Sequence, residues 1–211
     1  MTTQVKICGL KTPAAMTAAL EEEADFVGLV FHPASPRHLE IEIAAYLADY
    51  VPDSVKVCGL FVDPPDDILT RTLENVRIDM IQLHGHESPE RTDEIRQVFK
   101  KPVIKALSLS SHSDLTPVDR YQAADWLLLD AKGTAEIPGG TGRVFDWSIL
   151  NGFERAGPWM LAGGLTPENV GEAISLLRPN AVDVSSGVES ARGVKDPDKI
   201  RAFLRAARTA V

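Results

Sequence analysis

Eight short apolar runs recur along the chain, and after each comes a longer stretch whose apolar residues return at helical spacing. The runs are Gln4–Cys8, Phe26–Phe31, Val55–Val62, Asp79–His84, Val103–Leu107, Asp125–Asp130, Trp159–Ala162 and Ala181–Ser185. The stretches that follow them are Ala14–Glu23, Ile41–Asp49, Asp66–Asn75, Pro89–Phe99, Asp114–Tyr121, Trp147–Asn151, Pro167–Leu177 and Pro197–Ala207. Short β-rich runs alternating with helical patterns predict parallel strands joined by crossover helices. Eight such units predict closure into an α/β fold, a (β/α)8 TIM barrel, as one domain over residues 1–211. The competing architecture is an open doubly wound sheet, which usually stops at about five or six strands and reverses at a switch point.

The chain has 211 residues, fewer than the roughly 250 of a typical barrel of this kind. It is still long enough to bury a core without disulfides or a structural metal. No Pro/Gly/Ser-rich linker divides it. The longest loop, Ala131–Asp146, follows the sixth run and has the length of an active-site lid. The segments Lys6-Ile7-Cys8-Gly9-Leu10 and Lys56-Val57-Cys58-Gly59-Leu60 echo one another, which either hints at internal duplication or is chance.

Charge excludes several functions. The net charge is −8, and no segment gathers the basic stripe expected of a nucleic-acid reader. No apolar run reaches the roughly 18 residues of a membrane helix, and Met1–Lys6 lacks the basic-then-apolar start of a secretory signal. Two cysteines, Cys8 and Cys58, fit a reducing compartment better than a disulfide scaffold. The expectation is a cytoplasmic protein, monomer or homodimer, with no nucleic-acid or membrane partner.

In a barrel of this type the working groups stand at the C-terminal ends of strands and in the loops behind them. Polar residues at those positions are Cys8, His32, Asp63, Gln82 with His84, Lys105, Asp130, Gly163-Gly164, and Asp183 with Ser185-Ser186. The last two strands carry the clearest pattern. Leu161-Ala162-Gly163-Gly164-Leu165-Thr166-Pro167 runs from a strand through two glycines to an expected helix start, with Thr166 as cap and Pro167 at the first helical position. Val184-Ser185-Ser186-Gly187 places small residues directly after the eighth strand. Glycine lets backbone N–H groups approach an anion closely, so two such loops side by side form a phosphate cradle. The plainer alternative is a pair of tight turns.

Cys8 and Lys6 alternate onto one side of the first strand, so an ammonium near the sulfur would favour thiolate, although a lone cysteine is often only a small buried hydrophobe. Asp130 closes the apolar run Trp126-Leu127-Leu128-Leu129 and is either a chemical group or a cap or ion-pair partner. A thiolate and a carboxylic acid on opposite sides of a substrate are what acid–base isomerisation needs. Arg37, in the loop after the second strand, is either a solvated arginine or a bidentate grip for a carboxylate. His84-Gly85-His86 does not have metal-site spacing and His32, His38 and His112 complete no ligand set, so no metal is expected. No glycine-rich nucleotide loop is present either.

These residues give the chain an end-to-end resemblance to the phosphoribosylanthranilate isomerases, barrel enzymes of tryptophan biosynthesis. It is carried by Val5-Lys6-Ile7-Cys8-Gly9-Leu10, Gly28-Leu29-Val30-Phe31 with Ser35-Pro36-Arg37, Val57-Cys58-Gly59-Leu60-Phe61-Val62 and Ile81-Gln82-Leu83-His84-Gly85. Leu128-Leu129-Asp130, Gly139-Gly140-Thr141-Gly142 with Phe145-Asp146-Trp147, Ala162-Gly163-Gly164-Leu165-Thr166-Pro167-Glu168-Asn169-Val170 and Val182-Asp183-Val184-Ser185-Ser186-Gly187-Val188-Glu189 continue it. The resemblance implies an Amadori rearrangement of a phosphoribosylated anthranilate without cofactor. It implies Cys8 as general base, Asp130 as general acid and Arg37 on the substrate carboxylate. Gln82, His84 and Asp183 would orient the substrate, and Gly142, Gly163, Gly164, Ser185, Ser186 and Gly187 would hold its phosphate. Another phosphosugar-handling barrel enzyme, or a barrel that binds phosphosugars without turnover, is the alternative.

Overall fold

The computed structural model describes residues 2–115, 118–131, 147–150, 153 and 155–210. Eight parallel strands close into a barrel in sequence order. They are β1 (Gln4–Cys8), β2 (Phe26–Val30), β3 (Lys56–Phe61), β4 (Met80–Leu83), β5 (Val103–Leu109), β6 (Trp126–Ala131), β7 (Trp159–Ala162) and β8 (Ala181–Val184). β1 closes the ring on β8 with Lys6 beside Asp183 and Ile7 beside Val184. The open doubly wound sheet is thereby excluded.

Alternation along each strand produces two cores. Phe26, Cys58, Met80, Ile104, Ala106, Leu128, Met160, Ala162 and Ala181 fill the barrel interior. Their neighbours, among them Val5, Val27, Val57, Ile81, Leu127 and Leu161, face the helices. The echoing segments fall on β1 and β3 at one level, since Lys6 and Lys56 both pair with Phe26, and Cys8 and Cys58 both pair with Gly28.

At the N-terminal foot, one device recurs four times. Asp25, Asp79, Asp125 and Asn180 each stand immediately before an even-numbered strand and accept a backbone N–H from the start of the odd strand before it. The donors are Val5, Val57, Val103 and Trp159, at 2.8, 2.8, 2.9 and 3.0 Å. Arg208, Arg77 and Arg96 back the three aspartates. Each staple satisfies an N–H that the ladder leaves free at the barrel rim.

Among the described residues there are six α-helices: α1 (Pro13–Glu21), α2 (Ile41–Ala48), α3 (Asp66–Asn75), α4 (Pro89–Phe99), α5 (Val170–Leu177) and α6 (Pro197–Thr209). Thr12, Ser88 and Asp196 cap α1, α4 and α6 with a proline at the first turn. Two expected helices are 3-10 turns instead. The stretch Asp114–Tyr121 gives His112–Leu115 and Val118–Arg120. There the Asp114 carboxylate accepts the N–H groups of Ser110 and Ser111 at 2.6 and 2.9 Å, a local bond that competes with helix. Trp147–Leu150 is likewise a single 3-10 turn where Trp147–Asn151 was expected as helix.

The expected helix from Pro167 starts at Val170. Asn169 causes the delay: its side chain accepts the Thr166 N–H at 2.8 Å and donates to the Gly164 carbonyl at 3.0 Å, tying the loop before the helix begins. Thr166 is therefore not the side-chain cap. After β8, a 3-10 turn (Ser186–Val188) leads into a small hairpin, β9 (Glu189–Ala191) with β10 (Val194–Lys195), turned by Gly193 at φ +80°. Strands this short carry no readable alternation, and the sequence pattern gave no warning of them.

Candidate active site

A cavity of about 410 Å³ opens at the C-terminal end of the barrel, the size of an ordinary small-molecule site. Cys8 from β1, Asp130 from β6 and Asp183 from β8 line it together. Arg37 and His84 enter from the loops after β2 and β4, and Gly163, Gly164, Ser185, Ser186 and Gly187 close one wall. Gly142 lies outside the described residues, as does most of the loop Ala131–Asp146.

The sulfur of Cys8 is packed deep. Gly28 on β2 makes room for it, because a Cβ there would lie 2.9 Å from Sγ and 3.2 Å from Lys6 Nζ. Lys6 is fully buried inside the barrel and bonds Asp183 Oδ1 at 2.8 Å. Burial pushes the Cys8 thiol up, and the pull of Lys6 and of Lys195 recovers only part of that, with Asp183 opposing. The expectation that Lys6 would favour thiolate is corrected here: the ammonium is close, but its charge is matched by Asp183 and desolvation wins. For Lys6 itself burial works downward, yet Asp183 and the nearby thiols hold its pKa above the ordinary value.

Asp130 is about one-quarter exposed, and His84 Nε2 stands 3.5 Å from its Oδ2. Gln82 Nε2 lies 3.0 Å from His84 Nδ1. The contact places Gln82 behind the ring and leaves Nε2 facing Asp130. Gln82 is fully buried behind His84 and does not line the cavity. Two other strand-end residues also lie elsewhere. Lys105 points away from the barrel interior and bonds Glu87 at 2.6 Å and the Gly85 carbonyl at 2.8 Å. Asp63 accepts the His86 N–H at 2.6 Å and ties the β3 and β4 loops.

The two small-residue loops touch. Gly163 and Gly164 have φ of +92° and +66°, the left-handed region that glycine tolerates. Among the described residues a Cβ on Gly164 would meet nothing within 4 Å, and Gly164 lines the cavity. A Cβ on Gly187 would fall 1.9 Å from the Leu165 carbonyl oxygen, so only glycine permits this approach.

Arg37 is held on two sides. Its stem crosses Gly9, where a Cβ would come within 2.7 Å of Cδ. Its Nε and Nη2 donate to Glu189 at 2.6 and 2.8 Å. One fork of the guanidinium is therefore already engaged, and the Nη1–Nη2 edge is the one left for a ligand. Sequence reasoning did not single out Glu189 or Lys195. The charged residue directly behind the Ser185-Ser186-Gly187 loop and the turn signal of Gly193 were the available cues. Among the described residues no cluster of three or more His, Cys, Asp or Glu side chains could hold a metal ion, and no helix is long and apolar enough to cross a membrane.

Fold and site define a (β/α)8-barrel enzyme in which a thiol and a carboxyl share one cavity beside an anion cradle built of glycine and serine. Residues 5–206 match the family described as PRAI, N-(5'-phosphoribosyl)anthranilate (PRA) isomerase. The N-(5'-phosphoribosyl)anthranilate isomerase of Paramagnetospirillum magneticum is 54% identical, over 99% of this chain and 98% of the relative. That of Rhodopseudomonas palustris is 50% identical over 97% and 95%. The crystal structure of the enzyme from Thermotoga maritima superposes with a TM-score of 0.86 at 37% identity, covering 98% of both chains. A phosphoribosylanthranilate isomerase in complex with reduced 1-(o-carboxyphenylamino)-1-deoxyribulose 5-phosphate superposes with a TM-score of 0.84 at 35% identity, again over 98% of both. The chain belongs to the N-(5'-phosphoribosyl)anthranilate isomerase family.

Proposed function

We propose that this isomerase converts N-(5-phosphoribosyl)anthranilate to 1-(2-carboxyphenylamino)-1-deoxyribulose 5-phosphate, in tryptophan biosynthesis, with Cys8 as base and Asp130 as acid. The observation that carries the assignment is that both side chains line the one cavity walled by the Gly163-Gly164 and Ser185-Ser186-Gly187 loops. The substrate phosphate sits against those loops, and its carboxylate takes the free edge of Arg37. Protonated Asp130 gives its proton to the furanose ring oxygen as the C1′–O bond breaks, leaving a C1′=N iminium. The iminium acidifies C2′–H, and the Cys8 thiolate takes that proton. The resulting enolamine gains a proton at C1′ and loses its hydroxyl proton to give the C2′ ketone, so atoms and charge balance without a redox step.

His84 Nε2 faces the carboxylate that Asp130 becomes once its proton has left, and Gln82, on Nδ1, orients the ring. Asp183 receives the charge of Lys6 and faces the cavity, where it can accept a sugar hydroxyl. A solved relative from Thermotoga maritima is described as dimeric; for this chain one or two copies are expected, which size-exclusion chromatography with light scattering separates.

The test is loss of phosphoribosylanthranilate fluorescence with purified protein and no added metal. Asp130→Asn should lower kcat by on the order of 10² or more, the usual contribution of one proton-transfer group. Binding of the reduced product analogue should be nearly unchanged. Wild-type kcat in that variant would remove Asp130 from the chemistry.

A further inference from the structure

Glu189 has no part in the proton transfers, yet it is the most heavily bonded carboxylate near the cavity. Its side chain is almost wholly buried, and its oxygens accept from Arg37 Nε and Nη2, from Lys195 Nζ at 2.8 Å and from the Gly193 N–H at 3.0 Å. Lys199 Nζ bonds its backbone carbonyl at 2.9 Å. Burial alone would push this carboxyl up, but the donors hold it at about 2. Lys195 extends the chain of contacts: its Nζ bonds the Ser185 carbonyl at 2.9 Å and Ser185 Oγ at 3.1 Å. The hairpin tip also lies on the Arg37 loop, since a Cβ on Gly193 would come within 2.9 Å of the Pro36 carbonyl oxygen. One carboxylate oxygen, Oε1, thus receives both Arg37 Nε and Lys195 Nζ, so the two cations meet on it.

We propose that Glu189 is a positioning residue that ties the Arg37 loop to the Ser185 loop, turning the free edge of Arg37 toward the substrate carboxylate and holding Lys195 under the Ser185 loop that takes the phosphate. This rests on the assignment of those two loops under the proposed function. Geometry and bare charge predict opposite signs here. A carboxylate inside a site for a dianionic ligand is repulsive, so if Glu189 merely diluted positive charge, its removal would tighten binding. If it positions the cations, its displacement loosens binding at both ends.

Glu189→Asp separates the two, because it keeps the charge but draws the carboxylate back by one methylene from the point where Arg37 Nε and Lys195 Nζ meet on Oε1. With the full-length protein, calorimetry would measure binding of reduced 1-(o-carboxyphenylamino)-1-deoxyribulose 5-phosphate and, separately, of inorganic phosphate. Glu189→Asp should weaken the analogue by about tenfold or more, as loss of a charge-assisted bond does. It should weaken inorganic phosphate as well, and raise KM far more than it lowers kcat. Arg37→Ala should weaken the analogue and leave inorganic phosphate alone, and the double variant should lose less than the product of the two single effects. Lys195→Met, which leaves the Arg37–Glu189 pair intact, should weaken inorganic phosphate and gives a second route should Glu189→Asp fail to fold. Wild-type affinities in Glu189→Asp, or tighter binding in Glu189→Gln, would overturn the proposal while leaving the site assignment standing. Wild-type affinity for the analogue in Arg37→Ala would instead overturn the site assignment, and the proposal with it.

Discussion

Replacing Gly187 by alanine should part the two loops assigned to the phosphate, and the size of the effect follows from one distance. The new Cβ would sit 1.9 Å from the Leu165 carbonyl oxygen and 2.9 Å from its carbon, where real Cβ contacts do not fall below 3.0 Å. The neighbour is backbone, so no rotamer change relieves the clash. The loops must separate by the difference between 3.0 and 1.9 Å, about 1.1 Å. A backbone N–H that meets a phosphate oxygen near 2.9 Å is then near 4 Å away, beyond hydrogen-bond range. One bond to a charged group is worth about 1.5–3 kcal/mol, so affinity for inorganic phosphate should fall by roughly tenfold to 150-fold. Calorimetric titration with phosphate and with the reduced product analogue measures this directly, and KM should rise in step. Gly164→Ala is the comparison: its Cβ meets no neighbour within 4 Å, so strain at φ +66° is its backbone cost, about 1–2 kcal/mol of stability. Unchanged phosphate affinity in Gly187→Ala would show that the contact between these loops has no bearing on the anion.

Cys8 should behave as a thiol of raised pKa: in a Cys58→Ala background its alkylation rate should still climb as pH passes the ordinary thiol value of 9.0. The sign follows from burial, which disfavours thiolate, so the reactive form gathers only on the alkaline side; a plateau below pH 8 would contradict it. Asp79→Ala should leave KM and kcat unchanged because the foot of the barrel is remote from the mouth. It should cost about 1–3 kcal/mol in urea unfolding, since the Val57 N–H loses its acceptor. A change in KM without loss of stability would reverse that division of labour.

The barrel was legible because its strands are buried on both faces and its crossovers are amphipathic, so the run lengths alone placed all eight strands. What the pattern missed depends on side chains competing with the backbone. Asp114 bonds Ser110 and Ser111 and breaks an expected helix into turns, and Asn169 delays α5 by bonding both Thr166 and Gly164. At the site, strand-end position was enough to bring Cys8, Asp130, Asp183 and the two small-residue loops to one cavity. It failed for Lys105, because a strand end says nothing about which face a residue takes until register is fixed. It also missed how the guanidinium of Arg37 is shared, because Glu189 is 152 residues away in the chain.

Strand β6 shows why residue type alone does not separate scaffold from chemistry. One aspartate stands immediately before it and another is its penultimate residue, with four apolar residues between them. Asp125, at the foot, accepts the Val103 N–H and a forked pair of bonds from Arg96 at 2.9 and 3.0 Å, and these bonds hold its carboxyl below the usual range against the opposing effect of burial. It is saturated by donors and has no proton to offer near neutral pH. Asp130, five residues further along, meets among the described residues the distant Nε2 of His84 and the cavity. The acid role proposed for Asp130 suits this poverty of fixed donors, because every strong donor would stabilise the charged form of a carboxyl. The parallel barrel supplies both environments from one residue type by collecting strand starts at one end and strand ends at the other.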